Sequence, residues 1–277
     1  MFAGKSGKRV VGVVVALMLV VCTAVLSLSE VLMPEASGTK VLKDNKITVD
    51  ASHADQGYVM VKGPKSSKKK LKVRVETGGT YLNYNLNQEG NFEVFPLQLG
   101  RTNYSITLYL QKDGNKYGAV GKVKVAANMS DELSCFLYPN QYVNYTADTP
   151  CVKKASELCK GMSDQAEIYK AVCNFIKTNF VYDFIKSVTV AGSSGMLPDI
   201  DYCWNNKMGI CQDLSALTCA MLRSQGVPAR LVIGTLGSGT PHAWVMAVVN
   251  GEDAFFDPTA ELNATSKADT YTTERWY

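Results

Sequence analysis

The segment from Cys203 to Pro258 constrains this chain more than any other. Gly209-Ile210-Cys211-Gln212-Asp213 leads into Leu214, Leu217, Cys219, Ala220, Met221 and Leu222, an apolar spacing of about 3.6 residues that predicts a helix. Gly226-Val227-Pro228 ends it, because Gly suits the position after a helix and Pro cannot continue one. Thr240 to Val249 then reads as a buried strand, and Asn250-Gly251 as a tight hairpin turn. The return strand Ala254-Phe255-Phe256-Asp257 stops at Pro258. A helix followed by an antiparallel hairpin requires an α+β unit in which the helix packs on the sheet.

This order places three reactive side chains together. Cys211 stands at the predicted helix N-terminus, where unpaired N–H groups and the helix dipole stabilise a thiolate. The chain has two histidines, His53 and His242, and only His242 lies in the same segment. A two-residue turn at Asn250-Gly251 sets Asp257 opposite Trp244, diagonal to His242 on one sheet face; a bulge at Glu252-Asp253 would shift that register. Cysteine as nucleophile, histidine as proton carrier and aspartate as its orienting anion form the chemistry of acyl transfer. The Cys211 backbone N–H suits one half of an oxyanion hole. Trp204, Asn205 and Gln212 are candidates for the other half. Trp244 reads as core, or as a shield for the triad. Arg223 and Arg230 read as structural, on the expectation that arginine near a helix C-terminus complements its carbonyls.

These residues resemble the transglutaminase-like superfamily. The matching runs are Gly209 to Ala216, Met221 to Arg230, His242-Ala243-Trp244-Val245 and Phe256-Asp257-Pro258-Thr259, in the family's order, and the resemblance covers roughly residues 130–265. It implies a papain/transglutaminase-like catalytic domain in which Cys211, His242 and Asp257 act as the triad. It also implies one of several activities: protein crosslinking, peptide hydrolysis or deamidation. The large animal enzymes of the family use calcium, but no acidic loop of that kind is present here, so neither metal nor cofactor is expected.

Upstream, Lys5, Lys8 and Arg9 precede 19 uncharged residues from Val10 to Leu28. That length nearly spans a bilayer and exceeds the apolar core of a cleaved signal. Residues 1–29 are therefore expected to be a retained signal-anchor with the rest of the chain outside the membrane, although Ser27-Leu28-Ser29 would permit cleavage. Residues 30–45 read as a linker. Residues 46–127 carry six or seven short strand-like runs divided by Gly-rich turns, which predicts an immunoglobulin-like β-sandwich. Residues 128–277 form the catalytic domain, opened by a helix that Asp164 caps, with an apolar stripe at Ala166, Tyr169, Val172, Phe175, Ile176 and Phe180. Gly-rich loops at 192–195 and 234–239 are expected to border the substrate cleft.

Charge and cysteine content narrow the partners. Residues 40–127 carry net charge +8 and residues 128–277 net −5. Lys62, Lys65, Lys68, Lys69, Lys70, Lys72 and Arg74 make a basic stretch that reads as a solvated hairpin or as a contact for anionic envelope polymer. An exported chain would not meet nucleic acid. Of eight cysteines, seven lie in residues 128–277. Outside the membrane that leaves room for three disulfides with Cys211 free, or for several unpaired buried thiols. The chemistry points to an extracytoplasmic thiol enzyme acting on protein or peptide amides, hydrolysing in preference to crosslinking. A peptide-binding scaffold without turnover is the other class.

Overall fold

The computed structural model describes residues 30–66, 68–193, 195–262 and 270–277. The expected signal-anchor, residues 1–29, lies outside them. Among the described residues no helix is long and apolar enough to cross a membrane.

The first unit is built from two four-stranded antiparallel sheets. One orders its strands β1 (Val41–Asp44), β2 (Ile47–Asp50), β3 (Tyr58–Lys62) and β6 (Glu93–Pro96). The other runs β5 (Thr80–Leu86), β4 (Leu71–Thr77), β7 (Asn103–Asp113) and β8 (Lys116–Ala126). Alternation drives their packing: Leu71, Val73 and Val75 point inward while Lys72 and Arg74 point outward, as a period of two requires. Val49, Val59 and Val61 from one sheet meet Val73, Ile106 and Leu108 from the other in one buried core.

The linker expected at 30–45 is shorter than that. Its last residues form β1, and the chain ahead of it is stitched down by bonds from Gly38 N to Asp50 Oδ2 at 2.7 Å and from Lys40 N to Ser52 Oγ at 2.9 Å. The pairing partner of β1 is the next strand, which composition alone did not reveal. The basic stretch is only partly solvated. The Lys62 and Lys72 ammonium groups lie over Phe92 and Tyr117, and the Arg74 guanidinium lies over Tyr81 and Tyr109.

The second unit centres on α5 (Cys211–Arg223), which is buried from Asp213 onward. A helix buried on all sides needs cover all round. Helices α1 (Pro150–Leu158), α2 (Gln165–Asn179) and α4 (Ile200–Asn206) pack on one side. On the other lies a sheet ordered β13 (Glu252–Phe256), β12 (Pro241–Val249), β11 (Ala229–Leu236) and β14 (Tyr271–Trp276). Asp164 caps α2 by accepting from Ala166 N. The β12–β13 register pairs Val249 with Glu252 and Val245 with Phe256, without a bulge. Asn250 and Gly251 both take positive φ, 52° and 86°, the turn that matches strand twist.

Two expectations change here, and of the two readings of the cysteines the unpaired one holds. The seven described cysteines are all unpaired; six are buried, five of them in the core of the second unit, behaving as small apolar side chains. Arg223 does not serve its own helix's carbonyls. It is 1% exposed and donates to the backbone oxygens of Ala229, Tyr138 and Tyr277 at 2.7–2.8 Å, fastening three distant segments. Gly234 is not in a loop but within β11, because β14 crosses it so closely that a Cβ would sit 1.9 Å from Thr272 O.

The units are joined through the end of β14. Tyr277 enters the sandwich core, stacks on Tyr142 at 3.5 Å between ring centres, and meets Tyr84 edge-on. Gln98 Nε2 donates to Trp276 O.

Candidate active site

Cys211 is the first residue of α5, so its backbone N–H has no carbonyl four residues back to bond. Ile210 precedes it in extended conformation, and Asp213 fixes the approach. The Asp213 carboxylate is fully buried and accepts from Ile210 N at 3.1 Å, Asp199 N at 2.9 Å and Lys186 Nζ at 2.7 Å. Lys186 belongs to the short helix α3 (Phe184–Thr189). Gly209, on β10 (Met208–Gly209), pairs with Tyr182 on β9 (Val181–Tyr182). A Cβ at Gly209 would fall 2.8 Å from Cys203 Sγ and 2.9 Å from Asp213 Cβ, so only glycine lets the chain turn into the helix here.

His242 lies near the start of β12 and is 8% exposed. Its Nε2 is 2.9 Å from Asp257 Oδ2, and its ring faces the Cys211 sulfur closely enough for that sulfur to raise its basicity. With Nε2 committed to the carboxylate, Nδ1 is the nitrogen left for sulfur. Burial pulls the imidazole pKa down, but the Asp257 bond and the Cys211 sulfur outweigh it and raise the value to about 9. Burial pushes Asp257 up, while the His242 bond and charge, Tyr271 and the Ala260 N–H hold it below the ordinary carboxylate value. The other six thiols are pushed up by burial, Cys159 to about 11 and Cys135, Cys151, Cys173 and Cys219 to about 12.

Asp257 divides its work between two oxygens. Oδ1 accepts from Thr259 N at 3.0 Å and Ala260 N at 3.2 Å, capping α6 (Pro258–Leu262). Oδ2 holds His242 and accepts from the Tyr271 hydroxyl at 2.8 Å. The sequence reading missed Tyr271. It arrives on β14, whose Tyr271-Thr272-Thr273 opening favours a strand but does not say which strand it joins. Its ring meets Trp244 and Phe255 edge-on at 5.1 and 5.0 Å. Trp244 is 2% exposed and its ring centre lies 6.3 Å from that of His242, so it packs beside the base.

Thus Cys211, His242 and Asp257 are brought together, and His53 is not. His53 stacks on Tyr58 in the sandwich. Of the three candidates for a second oxyanion donor, Trp204 packs among Phe175 and Phe180 under the Lys207 ammonium, and Asn205 is exposed. Gln212 keeps a buried side-chain nitrogen with no partner among the described residues. No group of three potential metal ligands gathers among the described residues. The arrangement holds a thiol, a proton carrier of raised basicity and a buried anion in line, which suffices for nucleophilic attack on an acyl carbon.

Comparison with known proteins places this geometry in context. Residues 152–258 match the family model of the transglutaminase-like superfamily. An uncharacterized protein of Mycobacterium leprae is 31% identical over 134 residues, covering 44% of this chain and 46% of its own length. The chain thus spans about half of that curated relative. A crystal structure from Cytophaga hutchinsonii, named as a candidate cysteine protease, aligns with TM-score 0.40 and 16% identity over 86% of this chain and 81% of that one. The periplasmic domain of TgpA from Pseudomonas aeruginosa aligns with TM-score 0.36 and 12% identity over 81% and 96%.

Proposed function

We propose that this chain, whose residues 152–258 form a domain of the transglutaminase-like superfamily, is an extracytoplasmic thiol-dependent acyl-transfer enzyme acting on protein or peptide amides as a peptidase or amidase. One observation carries the reading. His242 bonds a buried carboxylate that has a second donor on the same oxygen, and it stands beside the thiol at the start of a buried helix, whose sulfur raises its basicity.

The steps follow from that geometry. Cys211 gives its proton to His242 Nδ1, and the sulfur attacks the amide carbon. The carbonyl oxygen gains the electron pair and is held by the Cys211 backbone N–H, with Gln212 the candidate for the second donor. When the tetrahedral species collapses, the C–N bond breaks and the imidazolium protonates the leaving amine, which leaves a thioester. Water then attacks, His242 takes its proton, the C–S bond breaks and the thiol returns. Asp257 stays ionised throughout, holding the tautomer and the charged ring.

The immunoglobulin-like reading of the first unit draws support from its connectivity, β2-β3-β6 against β5-β4-β7-β8, and from Tyr104 at the start of β7. The Tyr104 hydroxyl accepts from Leu99 N and shares its one proton between Gly100 O at 2.7 Å and Leu97 O at 2.9 Å, a corner typical of such sandwiches. In this reading the sandwich is a spacer between the membrane anchor and the enzyme.

The test is to incubate the full chain with glutamine-containing peptides and cell-wall peptides, with and without an added primary amine, and to follow mass. Cleavage or a gain of one mass unit that Cys211→Ala and His242→Ala abolish is the expected result. Amine incorporation in place of hydrolysis would make it a crosslinker. No turnover of any peptide, with a Cys211 thiol no more reactive than its six neighbours, would leave a binding scaffold.

A further inference from the structure

Helix α3 is fastened on its polar side and bare on the other. Asp183 caps it by accepting from Lys186 N at 2.8 Å, and the Tyr202 hydroxyl donates to the second Asp183 oxygen at 2.7 Å. The Lys186 ammonium turns inward to Asp213 in the first turn of α5. These bonds tie α3 to the helix that begins with Cys211. The opposite face carries Phe184, Ile185 and Val188, exposed by 63, 84 and 76%, and Val181, on β9 just ahead of the helix, is exposed by 56%. They are the four most exposed large apolar side chains among the described residues. Scattered apolar residues on a surface need no explanation, but a contiguous group does. α3 buries none of its own residues, so the fold gains nothing from their apolar character.

The bare face borders the reacting sulfur. Tyr182 spans the interval: its ring lies 4.9 Å from that of Phe184, and its strand pairs it with Gly209, two residues before Cys211. Asp183 N bonds Gly209 O at 3.0 Å, so α3 starts beside the turn that carries Cys211, and a peptide lying across α3 has the nucleophile within its reach.

We infer that the exposed face of α3 is a subsite for an apolar side chain, of leucine, isoleucine or phenylalanine type, next to the amide that Cys211 attacks. The inference rests on the acyl-transfer reading above and narrows its substrate class to peptides with an apolar residue beside the reacting carbonyl. Lys186 is the positioning residue that sets this face in register with the nucleophile.

The test uses the full chain and three alkylating probes read at Cys211 by mass: chloroacetyl-Leu-Leu-amide, chloroacetyl-Ser-Ser-amide and chloroacetamide. The leucyl probe is expected to react about tenfold faster than the seryl one, the worth of burying part of one leucine side chain. In the double variant Ile185→Ser, Val188→Ser that ratio should fall below about twofold, with the chloroacetamide rate unchanged. Equal rates in the wild type, or a preference that survives in the variant, would overturn the subsite. Failure of the catalytic reading looks different: chloroacetamide would then alkylate wild type and His242→Ala equally. Ile185→Cys completes the test through labelling with a water-soluble maleimide. Shielding by a leucyl group on Cys211 supports the proposal, and shielding only by a phosphatidylcholine bilayer assigns the face to lipid and overturns it.

Discussion

The Tyr271 hydroxyl and the His242 ring converge on one oxygen, Asp257 Oδ2, at 2.8 and 2.9 Å. Two donors on one oxygen hold the carboxylate against the imidazole and keep it ionised. Tyr271→Phe keeps the ring contacts with Trp244 and Phe255 and deletes one bond to a charged group. The expected loss in kcat/KM is about tenfold, with KM little changed. Asp257 becomes more basic without that donor, so the alkaline limb of the Cys211 pH profile should move upward. An unchanged limb would make Tyr271 a packing residue only.

The raised His242 value predicts a direction with pH. The folded value, about 9, lies above the ordinary 6.5. Its contribution to stability is therefore complete below pH 6.5 and is lost as pH rises through 9. Asp257, held below its ordinary 3.8, contributes above pH 3.8 and loses its share as pH falls through the lower folded value. Urea midpoints of wild type and His242→Ala should converge near pH 9. Acylation should fall in the same window, because the imidazolium that protonates the leaving amine is gone.

Gly234→Ala tests how β14 reaches the site. A Cβ there would meet Thr272 O at 1.9 Å and the Trp244 ring at 3.0 Å. Backbone cannot yield as a flexible side chain would, so β14 has to shift and Tyr271 with it. A cost of about 3 kcal/mol in unfolding free energy is expected, accompanied by the same kinetic defect as Tyr271→Phe. Stability loss without that defect would show that β14 and the triad are not coupled.

Arg223→Leu takes a donor from three buried carbonyl oxygens, of which Tyr277 O keeps the Leu231 N–H at 3.0 Å. Each oxygen left without a donor costs about 1–3 kcal/mol, so a loss of at least about 2 kcal/mol is expected, a fall in Tm of roughly 4–8 °C for a chain of this size. Arg223→Lys should recover little, since one ammonium cannot span Ala229, Tyr138 and Tyr277. Calorimetry of the three proteins decides it.

Local signals were legible where structure is local. The spacing of Leu214, Leu217 and Met221 marked α5, Gly226-Val227-Pro228 marked its end, and Asn250-Gly251 fixed the β12–β13 register. That register alone brought Asp257 beside His242, because hairpin pairing follows from turn length. The unpaired state of the cysteines, the three carbonyls of Arg223 and the Asp213–Lys186 pair were not legible. Each joins segments far apart in sequence, and no periodicity encodes which distant segment a side chain will meet.

What the sequence determined by itself was the order of helix, strand and return strand, and with it the approach of thiol, imidazole and carboxylate. Tertiary structure alone decided that β14 would lie beside β11. That placement delivers Tyr271 to Asp257 at one end of the strand and lodges Tyr277 in the sandwich core at the other. The physical reason is that strand pairing across a long connection is selected by burial over the whole molecule, and that energy has no counterpart in any short stretch of chain.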